Sequence, residues 1–351
     1  MGITKLNITD FLTLAQTTPV LDVRSPSEFA HAHIPNAYSF PLFNDEERKQ
    51  VGTAYKQRSR QIAIKIGLDY FGPNMRNLVQ EAERIATLHN HTQTLLVHCW
   101  RGGMRSAAIA WLLDLYGFKI YTLAGGYKSF RNWVLQQFTW PYNFQILGGY
   151  TGSGKTLLLH ELKRKGETVI DLEALAQHKG SAFGMHDTLP QPSQEMFENL
   201  LALQLLHASQ SNKPIWLEDE SQRIGHNNIP HPLWSTMRNA PVWFINIPFQ
   251  HRLEYILQDY GKLNPHKMVD AIMRIQTKLG GLEAKNAINF ILENNFRECF
   301  NILLKYYDKA YLKGLHKRKD AEQLTHNVHC NDVNPKTNYI HLKNALVAIN
   351  Q

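Results

Sequence analysis

The stretch FQILGGYTGSGKTLLLHELKRKG, from Phe144 to Gly166, leaves a chain few ways to fold. An apolar run rises into a glycine-rich turn, and a segment with helical apolar spacing follows. A strand that delivers such a loop onto a helix N-terminus aims several backbone N–H groups at one point, where an anion is held. Residues Gly149-Tyr-Thr-Gly-Ser-Gly-Lys155-Thr156 fill the Walker A pattern completely, in the strand–loop–helix context it requires. Gly149, Gly152, Ser153 and Gly154 shape the loop, Lys155 neutralises a diphosphate, and Thr156 is the candidate ligand for Mg²⁺. A structural glycine turn is the alternative. The loop specifies a diphosphate and not its owner: ATP and any organic diphosphate satisfy the same N–H groups.

A phosphate loop of this kind needs a parallel sheet with helices packed on it. TVIDLEAL, PIWLEDES and PVWFINIP supply three further strands, and from Gln250 the chain reads as largely helical. IWLEDES ends in Glu218, Asp219 and Glu220, which are candidates for metal binding or base chemistry or simply form a solvated acidic turn. Asp171 and Glu173 lie at another strand end, where open α/β sheets place ligands, and a helix N-cap is the competing reading. Lys179, Gly180, Ser181 and Arg223 are further candidates to line this pocket, although Arg223 equally suits a plain surface position.

Upstream, the alternation of strands and helices is already complete. PVLDVR is a buried strand; Ser25-Pro-Ser-Glu28 opens a helix with a cap, a first-turn proline and a capping-box acid. DEERKQVGTAYKQRSRQIAIKIG is a charged helical stretch, MRNLVQEAERIATL a separate amphipathic helix, and TLLVHC a buried strand. The expected fold is α/β in two domains, a parallel-sheet domain over 1–138 and a P-loop domain over 139–351 with a helical C-terminal region. Net charge is +8, with 15 Lys/Arg against 10 Asp/Glu in the first 140 residues and 23 against 20 in the rest. The excess is spread over both parts and favours a polyanion partner only moderately. The sequence shows neither a signal-peptide layout nor an apolar membrane span, which points to the cytoplasm. Three widely spaced cysteines, Cys99, Cys299 and Cys330, make no disulfide framework and suit a reducing compartment.

One of those cysteines sits in VHCWRGGMRS, between a strand and a helix. The loop's N–H groups and the helix N-terminus lower the pKa of Cys99 below the free value of about 8.5. They also cradle an anion beside the sulfur, and Arg101 and Arg105 add charge-assisted contacts to its oxygens. A buried inert thiol would need neither two glycines nor two arginines around it. Five residues between Cys99 and Arg105 match a cysteine phosphatase loop, yet no acid for phosphoester cleavage is identifiable.

LDVRSPSEFAHAHIPNA, with Asp22, Arg24, Glu28, His33 and Pro35, resembles the rhodanese family. Rhodanese domains carry sulfur or selenium on the loop cysteine. The loop here is one residue longer than in most of them, as in rhodanese-related dual-specificity phosphatases, which leaves room for a tetrahedral anion. Joined to the Walker A domain, the whole chain resembles the bacterial tRNA 2-selenouridine synthase family. The stretches carrying this are HCWRGGMRS, LAGGYKSFR, GGYTGSGKT, IDLEALAQHKGSAFG, EDESQRIG, KLGG and YYDKAY.

That resemblance implies a two-step change at the wobble uridine of tRNA. The sulfur of 2-thiouridine is first alkylated with geranyl diphosphate, and selenophosphate then supplies selenium while the S-geranyl group leaves. Cys99 becomes the selenium carrier, Arg101 and Arg105 hold selenophosphate oxygens, and Lys155 stabilises the departing diphosphate. No tightly bound cofactor and no dedicated metal site are expected beyond Mg²⁺ at the phosphate loop, and THNVHC lacks metal-ligand spacing. The enzyme that supplies selenophosphate is a candidate partner. For tRNA, the candidate contacts are Arg48, Lys49, Lys56, Arg58 and Arg60, and the cluster Lys313, His316, Lys317, Arg318 and Lys319, each of which equally reads as a solvated helix face. Tyr306, Tyr307 and Tyr311 either stack on bases or pack in a core. The competing functions are a phosphatase fused to a kinase-like module, an ATP-dependent tRNA sulfurtransferase with a persulfide carrier, and a non-catalytic tRNA- or nucleotide-binding protein. Intact Cys99 and Lys155 argue against the last.

Overall fold

A computed structural model describes residues 2–178, 190–260 and 264–349. The chain divides into two compact units, one of residues 1–137 with 198–202, the other of residues 138–197 and 203–351.

In chain order the first part forms β1 (Thr4–Leu6), α1 (Ile8–Leu14), β2 (Val20–Asp22), α2 (Pro26–His31), β3 (Tyr38–Ser39), α3 (Asp45–Gln57), α4 (Arg60–Leu88), β4 (Thr94–His98), α5 (Met104–Tyr116), β5 (Lys119–Leu123) and α6 (Gly126–Gln137). Its five strands pair in the order β1-β5-β4-β2-β3, all parallel. The central strand β4 is buried from Leu95 to His98, as a strand covered on both faces must be. α2 begins with the predicted capping box between Ser25 and Glu28. The charged helical stretch and the amphipathic helix, read as separate, are divided differently. α3 stops at Gln57, and α4 then runs for 29 residues through Gly67, Gly72 and Pro73. Its buried face of Gly67, Phe71, Leu78, Ala82 and Ile85 continues across the proline, and this packing offsets the hydrogen bond that Pro73 cannot make.

The second part forms β6 (Phe144–Gly149), α7 (Lys155–Arg164), β7 (Thr168–Val169), α8 (Leu172–Ala176), α9 (Gln194–Ser209), β8 (Ile215–Glu218), β9 (Arg223–Ile224), β10 (Asn227–Asn228), α10 (His231–Arg238), β11 (Val242–Asn246), α11 (Phe249–Tyr260), α12 (Pro265–Leu279), α13 (Gly281–Leu292), α14 (Phe296–Leu315), α15 (Ala321–Leu324), β12 (Thr325–His329) and α16 (Pro335–Ile349). Five strands make a parallel sheet in the order β12-β11-β6-β8-β7, and β9 and β10 form a small antiparallel hairpin. The C-terminal region is helical as expected, except for β12, which extends the sheet beside β11. The phosphate-loop strand β6 thus lies at the centre, with the C-terminal ends of β8 and β11 flanking it. Among the described residues no helix is long and apolar enough to cross a membrane.

Candidate active sites

The cysteine loop is assembled by backbone. β4 ends at His98, Cys99 follows, and α5 starts at Met104. The N–H of Gly103 donates to Cys99 Sγ at 3.3 Å, and Ser106 Oγ lies 3.3 Å from the sulfur. Burial pushes the Cys99 thiol up, but these two contacts with the N–H of Arg101 outweigh it and the net shift is downward. Cys299 and Cys330 have burial without such donors and are pushed up to about 12 and about 11. Iodoacetamide is therefore expected to modify Cys99 alone near neutral pH, with a midpoint below the about 8.5 of free cysteine. Since the thiolate is the reactive form, Ser106→Ala is expected to move that midpoint upward, as mass-spectrometric alkylation profiles against pH will read.

The GG of LAGGYKSFR clamps this loop from behind. Tyr127 N–H donates to Cys99 O at 2.8 Å and Lys128 N–H to Trp100 O at 3.0 Å. Gly126 has φ +61°, and a Cβ there would stand 2.3 Å from Cys99 O and 2.5 Å from Gly102 N. Gly126→Ala combines left-handed strain with a backbone collision. It is expected to cost about 3 kcal/mol, read as a lowered urea midpoint, and to slow Cys99 alkylation.

Of the two loop arginines, Arg101 is exposed at the rim. Arg105 instead donates to Glu28 Oε2 at 2.7 Å, and Arg48 lies 3.7 Å from the same carboxylate. Burial raises the pKa of Glu28, but Arg105 outweighs it and holds the carboxyl below its ordinary range. Glu28 is thus the partner that positions Arg105 beside the loop, a role not assigned from the sequence. The LDVR charges are internal. Arg24 pairs with Asp22 at 2.5 Å, donates to Ala32 O at 2.7 Å and stacks on Tyr127 at 3.7 Å, tying β2, the end of α2 and α6 together.

In the second unit, Gly149, Gly152 and Gly154 take φ of +149°, +80° and +68°, giving the turn that delivers Lys155 and Thr156 at the start of α7. Ser153 is buried within that loop. Lys155 Nζ rests on Gly149 O at 2.9 Å, across the mouth of the loop. Two side chains brace the loop. Arg252, buried, donates to Thr151 O at 3.0 Å and pairs with Asp308 at 2.7 Å. The Tyr311 hydroxyl accepts from Gly149 N–H at 3.2 Å and donates to Asp219 at 2.7 Å.

The acidic candidates separate. Glu173, Glu218 and Glu220 bring carboxylate oxygens within 4.8 Å of one another, and Thr156 Oγ1 donates to Glu173 at 3.4 Å. Burial, followed by repulsion from Glu173, raises Glu218 well above its ordinary value and pushes Glu220 up to about 8. Asp219 points away, paired with buried Arg318 and bonded to Tyr311. Asp171 caps α8 through Ala174 N–H at 2.8 Å and meets His160 at 3.1 Å, the helix-cap alternative. Arg223 is exposed on the β9–β10 hairpin, its Nε donating to Gly225 O. Lys179, Gly180 and Ser181 lie outside the described residues. Arg318, grouped with the surface cluster 313–319, is instead a buried structural cation, because Asp219 and the carbonyls of Met237 and Arg238 use its guanidinium.

These two sites define a rhodanese-like domain and a P-loop domain carried on one chain. Residues 8–132 match the rhodanese-like domain family, and residues 142–335 match the tRNA 2-selenouridine synthase AAA domain family. The chain belongs to the tRNA 2-selenouridine synthase family. It is 36% identical to a tRNA 2-selenouridine synthase of Nitrosomonas europaea, over 81% of this chain and 73% of that one. With the synthase of Psychromonas ingrahamii it shares 32% identity over 87% of this chain and 90% of that one. The figures for the synthase of Shewanella frigidimarina are 34%, 88% and 91%.

Proposed function

We propose that this protein is a tRNA-modifying transferase that converts wobble 2-thiouridine to 2-selenouridine through an S-geranyl intermediate. The supporting observation is the pairing, in one chain of this family, of a thiol with lowered pKa and a complete diphosphate loop. In the first step the 2-thiouridine sulfur attacks C1 of geranyl diphosphate, a C–S bond forms, and the C–O bond breaks with the electron pair leaving on diphosphate. The loop N–H groups and Lys155 stabilise the charge that develops there. In the second step the Cys99 thiolate bonds to C2 and geranylthiol leaves with a proton; selenium of selenophosphate then bonds to C2, the C–S bond to Cys99 breaks with its electron pair returning to the thiolate, and the phosphoryl group passes to water. Alkylation makes this exchange feasible because a thiocarbonyl sulfur is a poor leaving group. We assign the selenium step to the Cys99 loop, where the N–H groups and Arg101 suit a tetrahedral anion, while Glu28 fixes Arg105.

The glutamate trio beside Thr156 suits a divalent cation, since three crowded carboxylates, one of them fully buried, repel one another without a counter-charge. Glu173, Glu218 and Glu220, with Thr156, would hold Mg²⁺, which would add positive charge against the diphosphate. The chain's own contribution is to position the loop through Arg252 and Tyr311 and to present Lys155.

The test incubates the protein with an anticodon stem-loop containing 2-thiouridine and reads nucleosides by mass spectrometry. Geranyl diphosphate alone should give the geranylated nucleoside, and added selenophosphate should convert it to 2-selenouridine. Change at C2 supported by ATP, with geranyl diphosphate inert, would transfer the assignment to an ATP-dependent sulfurtransferase.

A further inference from the structure

Beside the phosphate loop the second unit has a cleft of about 500 Å³ that no step above uses. Tyr311, Asp219 and Glu220 line it, so it shares Tyr311 with the loop brace and Glu220 with the acidic trio. Trp234, Arg238, Lys317 and Lys319 also line it.

The charges here have distinct tasks. Arg318 pairs with Asp219, so these two lining charges neutralise each other. Arg238 is fixed by a bond to Gly314 O at 2.8 Å, with its guanidinium 5.5 Å from the centre of the Trp234 ring. Lys317 and Lys319 are exposed at the mouth and form no ion pair among the described residues. An oriented indole–guanidinium pair inside, with two unneutralised ammonium groups at the rim, matches a nucleotide: a planar base within and backbone phosphates outside. A hydrocarbon chain would cover the rest of the Arg238 guanidinium without offering it an acceptor and would make no use of the two ammonium groups.

We propose that this cleft receives a nucleotide of the RNA substrate, with the base against Trp234 and Arg238 and flanking phosphates on Lys317 and Lys319. The proposal rests on the tRNA reading above and adds where in the second unit the RNA is held. It also explains why the cleft borders the phosphate loop: the nucleophilic sulfur belongs to the RNA, and the diphosphate it displaces lies on that loop.

Binding of a fluorescent anticodon stem-loop, measured by anisotropy over a salt series, tests this. The double variant Lys317→Ala/Lys319→Ala should weaken binding about tenfold or more and flatten the log K against log salt slope by about 1.4, at about 0.7 per single-strand phosphate contact. Trp234→Ala should weaken it by about 5- to 150-fold, the range for one stacked base, with Trp234→Phe restoring most of the loss. Lys155→Ala should still bind the stem-loop, which separates RNA binding from diphosphate chemistry. A photoreactive thiouridine at the wobble position should crosslink within 234–238 or 311–319. Unchanged affinity and slope in both the lysine and tryptophan variants, or a crosslink confined to other segments, would overturn the proposal while leaving the tRNA reading intact. A loss of geranyl diphosphate affinity in Trp234→Ala with RNA binding unaltered would give the cleft to the hydrocarbon chain instead. If the wild-type protein bound no stem-loop, both readings would fall together.

Discussion

Cys99→Ala is expected to lower 2-selenouridine formation by at least about a thousandfold while geranylated nucleoside accumulates. The thiol sits where Gly103 N–H and Ser106 converge, and alanine leaves that cradle standing without its sulfur. The geranyl step uses none of these groups, so its rate should stay within about twofold of wild type, inside ordinary mutational scatter. Mass spectrometry of the nucleosides over time reads both rates at once. Undiminished selenium incorporation in this variant would remove the thiol from the reaction, and loss of both products would mean that the first step also depends on the cysteine loop.

Lys155→Ala is expected to slow geranyl transfer by about 10²- to 10³-fold, the usual loss for one group that stabilises developing charge. Without an amine over the loop mouth, the leaving diphosphate keeps only the N–H groups and whatever cation the glutamates hold. Pre-geranylated stem-loop should bypass the defect: Lys155→Ala should convert it to 2-selenouridine as fast as wild type does. Failure of this bypass would show that the phosphate loop also serves the selenium step.

Much of the fold was legible because its strands are apolar runs and its loops are built on glycine. The phosphate loop and the cysteine loop both declare themselves within a dozen residues. Other features depend on partners far along the chain. Arg105 finds Glu28 across 77 positions and Arg318 finds Asp219 across 99, and no local pattern links either pair. β12 reads THNVH, with only Val328 buried, so it lacks the apolar signature of the other strands and joins the sheet through pairing with β11. α4 passes through Gly72 and Pro73 because its buried stripe outlasts the local break. In the acidic turn, residue type was informative and direction was not. Glu218 and Glu220 face Glu173, while Asp219 between them turns toward Tyr311 and Arg318.

The clamp behind Cys99 is made of main-chain atoms, with Tyr127 N–H and Lys128 N–H holding Cys99 O and Trp100 O, and Gly126 lying flat against the loop. Trp100, Arg101 and Met104 therefore project from a scaffold that does not depend on their side chains, and all three are exposed. Such an arrangement separates heritable variation in what the loop accepts from variation in whether the loop forms. Substitutions at Trp100 and Met104 can retune substrate preference in small steps, whereas a single methyl group at Gly126 distorts the platform on which any preference acts.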